Sequence, residues 1–353
     1  MTLGLLLLVL IGRQFWRDLQ RLDLRSYTLH FGWLVASGGL YLLGLLFSAL
    51  TWKRLLNHFG QRPSFFTTLR AYYVGHLGKY LPGKAWALFL RASLARGHGV
   101  GLGLATVTAF YEVLVTMTGG VLVAVVLFAL LAPTTATRLD WEGLRRLANL
   151  EAPEGVLGRR PLVGLALGLL LPLGTMVAPP VFNRVLHRLS LPFRDKITGP
   201  LPRFHWTYLA EGLGLTSIGW VLLGGSLVAA ICSVLGSDLA WEPALLGRMP
   251  AIMGLAYVFG FVILFAPSGL GVREFFLVLF LTPELEILLP GDGSAAAREI
   301  VQGVAVLTVV VLRLVWTAAE MVAAGLLWPL GPQRTPPAPS QENGGAEFQG
   351  ASP

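Results

Sequence analysis

The sequence is poor in charge: Asp, Glu, Lys and Arg make up 13% of its 353 residues, whereas 54% are hydrophobic. Average soluble domains carry roughly 25% charged residues, and the mean hydropathy here is +0.67. A soluble enzyme, a soluble nucleic-acid-binding domain and a disordered scaffold are excluded together. Cysteine is almost missing. The single one, Cys232, lies inside an apolar run, so neither a disulfide nor a cysteine-based metal site can form within one chain. Gly 42 and Pro 22 reach about 18% without any G-x-y period, which excludes collagen. There is no G-x-x-x-x-G-K-[ST] loop, no H-E-x-x-H and no G-x-S-x-G, and the six histidines are scattered. ATP hydrolysis at a P-loop and zincin or hydrolase chemistry therefore have no residues to work with. No cofactor and no enzymatic activity are expected.

What is present is basic charge and long apolar runs. Net charge is +8, from 27 Lys+Arg against 19 Asp+Glu. The basic residues sit in short loops between apolar runs, where they act as topology signals and contacts for anionic lipid. A hydrocarbon core of about 30 Å needs about 20 apolar residues per helix. Uncharged stretches run from Phe31 to Trp52, Pro161 to Asn183 and Met249 to Val272. Between Arg96 and Arg138 only Glu112 is charged, between Arg203 and Asp238 only Glu211, and from Ile300 to Gln333 only Arg313 and Glu320. Leu3 to Ile11 is a short apolar start without a basic n-region or an A-x-A site, so a short first helix is expected rather than a cleaved signal.

Loop charge sets the orientation. Residues 184–203 carry Arg184, Arg188, Arg194, Lys196 and Arg203 against Asp195, and Lys53, Arg54, Arg62 and Arg70 mark a second basic loop. Both read as cytoplasmic. Residues 282–299, with Glu284, Glu286, Asp292 and Glu299 against Arg298, suit the outside. Both termini are then cytoplasmic, although the four arginines between Arg13 and Arg25 run against the alternation. The expected fold is an all-α, polytopic membrane helix bundle of about six to eight membrane segments. Residues 1–330 form one transmembrane domain, and the polar, Pro- and Gly-rich stretch 331–353 cannot bury a core and is expected to be disordered.

Two apolar segments are interrupted, at about 66–95 and 250–281. The first contains Gly75-x-x-Gly78-Lys79, then Leu81-Pro82-Gly83-Lys84, then Arg91; the second contains Ala266-Pro267-Ser268-Gly269-Leu270-Gly271-Val272-Arg273-Glu274. Proline has no N–H and disfavours helix at the residue before it, so a helix breaks at each site and another starts beyond it. Irregular backbone at membrane depth survives only where protein buries it or a cavity solvates it. Two such breaks at corresponding places in two halves point to a transporter binding site, here as re-entrant pairs of an inverted repeat. The new helix N-termini favour an anion, and Lys79, Lys84, Arg91 and Arg273 add full charges. The alternative is a pair of interfacial turns.

Charges at helix centres cost about 2.5–3.5 kcal/mol each on insertion scales, so each needs a partner or a function. Glu112, Arg313 and Glu320 are candidates for lining a polar cavity and coupling transport to an ion; the alternative is buried pairs that fix packing. Arg313 and Glu320 are seven residues apart and share one helix face. Glu211, beside His205, reads as packing, and His76 as a titrating or a packed side chain. Trp33, Trp52, Trp206, Trp241 and Trp328 read as interface anchors.

The stretches GKYLPGKAWALFLR and APSGLGVREF, in that order, resemble the transmembrane region of lysylphosphatidylglycerol synthases, the flippase-like integral membrane proteins, over roughly residues 1–330. The resemblance implies re-entrant membrane segments and movement of lipids or lipid-linked sugars between leaflets. It maps the family's Pro-Gly break onto Pro82 and Gly83, its following arginine onto Arg91, and its second glycine-rich break onto Gly269, Gly271, Arg273 and Glu274. Where the family often follows an acid with an arginine, this chain has Glu112 followed by Val113. Synthesis needs a large soluble domain, and only 23 residues follow Leu330, so synthase activity is not expected. The expected function is movement of an anionic phospholipid or polyprenyl-phosphate-linked sugar across a bacterial-type plasma membrane, with membrane lipid as the partner. The rival readings are a secondary transporter of a small anion and a non-catalytic membrane partner of a cell-envelope glycosyltransferase.

Overall fold

A computed structural model describes residues 28–80, 86–96, 100–131, 161–190, 203–237, 239, 242–262, 271–289, 291–292 and 294–329. All regular structure among them is helical: α1 Phe31–His58, α2 Phe65–His76, α3 Trp86–Ala95, α4 Leu102–Leu130, α5 Pro161–Val177, α6 Pro179–Ser190, α7 Trp206–Leu235, α8 Pro243–Val262, α9 Val272–Leu288 and α10 Ala295–Leu327. A turn of 3-10 helix, Leu77–Tyr80, continues α2. Five helices, α1, α4, α7, α8 and α10, are long and apolar enough to cross a membrane, and the bent pair α5–α6 makes a sixth if it counts as one broken span. The chain is a polytopic all-α membrane bundle.

The bend between α5 and α6 is 48°. Residues 161–183 read from sequence as one plain span, and that reading is corrected here. Pro179 and Pro180 both lack the N–H that would continue α5, whereas proline suits the first turn of a new helix. In α6 Phe182 and Leu186 are buried while Arg184 and Arg188 face outward. Asn183 ties the helix to the segment before α7, its side chain bonding both the carbonyl and the N–H of Phe204 at 3.0 and 2.9 Å.

Helices α1 and α7 pack closely at the centre. A Cβ built on Gly219 would sit 3.0 Å from the Gly44 carbonyl oxygen, and one on Gly44 would sit 3.1 Å from that of Gly219. Ser37 and Ser226 hydrogen-bond reciprocally, each hydroxyl donating to the other's carbonyl at 2.9 and 2.8 Å. Ser37 meets Ser226 and Gly44 meets Gly219, so the two helices run antiparallel. Lipid tails are as apolar as leucine, so helices associate in membranes through small residues and interhelical hydrogen bonds of this kind. Helix α10 joins the pair through Trp316, whose indole N–H donates to Ser226 Oγ at 2.8 Å and whose ring stacks on Tyr41 at 4.1 Å.

Serine caps start two of the helices. Ser64 accepts from the Thr67 N–H at 3.1 Å and opens α2, and Ser294 accepts from the Ala297 N–H and opens α10, each satisfying a donor that the first turn leaves free. The first interrupted segment forms two short helices on either side of residues 81–85, and α3, with ten residues, rises only about 15 Å. The second differs from the expected pair of half-length limbs, because α8 alone has 20 residues and qualifies as a span. Glu284 is also not an outer-loop charge. It lies in α9, buried, where Arg248 of α8 grips both carboxylate oxygens at 2.7–2.9 Å. Lys53 and Arg54 likewise belong to the last turns of α1 rather than to a loop. Pro82, Gly83, Lys84, Gly269, the short start at Leu3–Ile11 and the tail 331–353 lie outside the described residues.

Candidate functional site

A cavity of about 440 Å³ opens among α1, α2, α3, α4, α7, α8 and α9. Its lining combines apolar side chains, among them Leu45, Leu88, Phe110, Val113, Met117 and Leu223, with Tyr41, Tyr72, His76, Lys79, Arg91, Glu112, Tyr257 and Arg273.

The first polar cluster is built on the α2–α3 hairpin. A Cβ on Gly75 would lie 2.7 Å from Arg91 Cα, and one on Gly78 2.7 Å from Ala87 Cα. Only glycine lets these two helices touch backbone to backbone, and the contact sets Arg91 against α2. Arg91 is 2% exposed. Its Nη1 donates to Glu112 Oε2 at 2.6 Å, and its guanidinium lies over the Tyr72 ring at 3.7 Å and the Trp52 ring at 5.6 Å. Tyr72 and Thr116 donate to the same carboxylate at 3.1 and 2.9 Å. Glu112, which lacks an arginine beside it in sequence, thus receives one from α3.

The second cluster is built on α8 and α9. A Cβ on Gly260 would lie 3.0 Å from Arg273 Cβ. Arg273 donates from Nη1 to the Tyr257 hydroxyl and from Nη2 to Glu274 Oε1, both at 2.7 Å, and lies over the rings of Tyr257 at 4.6 Å and Trp316 at 5.8 Å. Glu274 accepts from the Gly271 N–H at 2.8 Å, at a position whose φ of 82° is left-handed and suits glycine. Arg313 of α10 reaches the same carboxylate.

Helix α10 connects the two clusters. Arg313 and Glu320 share a face, as their spacing requires, but they do not pair with each other. Arg313 goes to Glu274, while Glu320 is held by Lys79, Tyr41 and Tyr80, with His76 Nε2 at 3.6 Å. Lys79, Tyr80, Arg273, Arg313, Trp316 and Thr317 enclose a second, small void between them.

Of the candidate residues, Lys79, Arg91, Glu112 and Arg273 therefore line the cavity, Glu274, Arg313 and Glu320 belong to the network bonded to them, and Gly271 opens α9. Glu211 stands apart at the surface with Arg54 at 3.2 Å. The tyrosines 41, 72 and 257 and Trp316 were not singled out from the sequence. A signal for two of them exists: Tyr72-x-x-Gly75 and Tyr257-x-x-Gly260 each precede the arginine of their own hairpin. Among the described residues no group of three His, Cys, Asp or Glu side chains could hold a metal ion.

The family model of the lysylphosphatidylglycerol synthase transmembrane region matches residues 1–285. The chain belongs to that family. It is a flippase-like, multi-pass protein of the bacterial-type plasma membrane, and what it shares with the synthases is their membrane region rather than a catalytic domain. The match includes α1 to α8 and most of α9 and stops before α10, so Arg313 and Glu320 lie beyond the matched stretch. No curated protein sequence and no solved structure matches the chain significantly.

Proposed function

We propose that this protein moves an amphiphile with an anionic headgroup, a phospholipid or a polyprenyl-phosphate-linked sugar, between the leaflets of the plasma membrane. The observation that carries the reading is a largely apolar cavity whose lining includes the cations Lys79, Arg91 and Arg273. The headgroup phosphate takes Arg91, Arg273 and Lys79, with Glu274 holding Arg273 in place; Lys84 enters the test on its sequence pattern alone. The acyl or prenyl chains remain among the helices and in lipid. Phe110 belongs to the cavity wall and is 49% exposed, which supports a lateral opening beside α4.

The antiparallel packing of α1 and α7 supports an inverted arrangement of two halves, each a long helix, a hairpin and another long helix, with both termini cytoplasmic. In this scheme α2–α3 and α8–α9 are the two re-entrant pairs, entering from opposite sides. Glu320, bonded to Lys79 in one hairpin region and adjacent to the Arg273–Glu274–Arg313 network of the other, is the carboxylate through which an ion gradient drives the movement; Glu112 and Arg313, in their own ion pairs, are the further candidates for coupling. A secondary transporter of a small soluble anion fits less well, because the cavity wall is largely apolar. A purely structural partner of a glycosyltransferase gives no reason for cations at a cavity wall.

The test is leaflet accessibility in proteoliposomes, with fluorescent phosphatidylglycerol and a polyprenyl-phosphate analogue, comparing wild type with Lys84→Ala and Arg273→Ala. Accelerated transbilayer movement that both substitutions remove is the expected result. Movement that neither substitution alters discards the headgroup site, and no movement of any lipid by folded protein discards the function.

A further inference from the structure

Glu320 is the buried carboxylate of α10, 1% exposed, and the side chains that bond it are donors. Tyr41 of α1 and Lys79 of the 3-10 turn reach Oε1, the Tyr80 hydroxyl donates to Oε2 at 2.8 Å, and His76 Nε2 of α2 stands 3.6 Å away. The other charged groups facing it among the described residues are paired with one another: Arg273 and Glu274 of α9 and Arg313 of its own helix, with Tyr257 of α8 on Arg273. Glu211, the one charged residue of α7, lies at the surface with Arg54. Hard metal cations bind through a shell of oxygen ligands, and a shell of donors that includes an ammonium repels them. A proton needs only one carboxylate oxygen.

Lys79 stands between two spaces. It lines both the main cavity and the small void beside α10, and its side chain is 23% exposed against 1% for that of Glu320. A lysine ammonium is a compact charge on a flexible stem. While Glu320 is ionised, the carboxylate cancels that charge; once Glu320 carries a proton, Lys79 is left as a cation without a counter-ion, which is costly in a poorly solvated site. An anion in the cavity supplies the counter-ion. Proton and anion therefore favour each other's binding, and the coupling runs equally in both directions. The approach for the proton is separate from the cavity: Tyr80, 41% exposed, places its hydroxyl 3.1 Å from Thr317 Oγ1 as well as on Glu320, and both residues line the small void.

We propose that Glu320 is a proton-binding site whose protonation releases Lys79 from α10 to an anion in the cavity, so that one proton travels with each anion. The inference rests on the lipid-translocation reading but is also tested by binding, so the two can fail separately. The proton comes from water on the side that Tyr80 and Thr317 face and sits on a carboxylate oxygen while the anion is bound. It returns to water on the other side when the anion leaves and Lys79 goes back to the carboxylate; no other bond forms or breaks. Each cycle restores the protein, so only a monoanion and a proton have crossed and no net charge has moved. A pH difference then drives the movement, and a membrane potential does not.

The experiment places the full chain in proteoliposomes with a trace of fluorescent phosphatidylglycerol, a monoanion over the pH range used, and imposes a pH difference, a potential or a sodium gradient one at a time. Expected is accumulation of the probe in the leaflet on the alkaline side, approaching about tenfold per pH unit for one proton per lipid, with no response to potential or sodium. Glu320→Gln should abolish the pH response, and the surface control Glu211→Gln should keep it. In detergent micelles, binding of spin-labelled phosphatidylglycerol should strengthen as pH falls in wild type, stay at the acid value in Glu320→Gln and stay weak in Lys79→Gln. Drive by potential or sodium overturns the proposal, as does a pH response that survives in Glu320→Gln; its loss in His76→Gln instead would move the proton to the imidazole. The gradients are compared on wild-type protein, so the proposal stays testable if a variant does not fold. Movement without any pH response keeps the transport function and discards the proton site. Binding with the expected pH dependence but no transbilayer movement keeps the proton site and discards the transport function.

Discussion

The α2–α3 hairpin and the α8–α9 hairpin put the same residue types around an arginine, yet they balance its charge differently. Arg91 is sealed, 2% exposed, with Glu112 as its own carboxylate. Arg273, whose side chain is 14% exposed, shares Glu274 with Arg313. The first hairpin therefore holds a closed, neutral pair, and the second an open group with positive charge to spare. The first is also the tighter of the two, since a Cβ on Gly75 would meet backbone at 2.7 Å and one on Gly260 a side-chain carbon at 3.0 Å. In a low-dielectric setting, equal residue lists do not make equal sites; the number of carboxylates per guanidinium and the seal around it decide how each behaves.

The comparison breaks most sharply at the carboxylates. Glu112→Gln strands Arg91 as a buried charge without a counter-ion, and removing one partner of a buried pair typically costs about 3–5 kcal/mol. Glu274→Gln leaves Arg273 with Tyr257 and Arg313 facing solvent more freely, so its loss should be clearly smaller. Thermal unfolding of the two variants in the same detergent checks this, and equal losses would show that the two arginines are equally sealed.

The glycines give the next effect. Gly75→Ala forces a methyl against the Arg91 main chain, which cannot yield without parting α2 from α3. Gly260→Ala asks only for a few tenths of an ångström from the Arg273 side chain. Overpacking costs typically about 1–3 kcal/mol; Gly75→Ala is expected at the upper end and Gly260→Ala at or below the lower. Unfolding midpoints and the accessibility of a cysteine placed in α3 would report the difference, and a reversed order would mean that the second hairpin is the tighter one.

Much of this was legible in the sequence for a physical reason: a membrane span must be apolar over a fixed length. The stretches that became α1, α4, α7 and α10 stand out by lack of charge, and the two Pro/Gly interruptions marked the hairpins and their arginines Arg91 and Arg273. Pairing across helices was not legible. Arg91 finds Glu112 across 21 positions and Arg248 finds Glu284 across 36, and nothing in spacing announces such partners. Glu284 looked like loop charge because a charge neutralised by a buried partner leaves the same letter in the sequence as an exposed one. Arg313 and Glu320 were placed on one face correctly, but helix period says nothing of which neighbouring helix each will meet. Pro179-Pro180 is a signal for the bend, but the uncharged stretch around it reads as one span.

The smallest expected effect tests what holds the two hairpins in a common frame. Each hairpin follows one member of the central antiparallel pair, α1 and α7, and the pair is tied by the reciprocal bonds of Ser37 and Ser226. Trp316, which lies over Arg273, also donates to Ser226 Oγ, whereas Trp52, over Arg91, donates instead to Thr108 of α4. Interhelical hydrogen bonds in a membrane average only about 0.6 kcal/mol, so Ser226→Ala should cost little in stability. Its consequence should nevertheless fall on one side, because the indole that loses its acceptor belongs to the second cluster alone. Phosphatidylglycerol affinity of Ser226→Ala should therefore drop modestly, while Thr108→Val, which strips the acceptor from Trp52, should affect the sealed Arg91 pair less. Equal changes in the two variants would mean that the tryptophans add ring surface without setting the arginines, and the difference between the hairpins would then lie in their carboxylates alone.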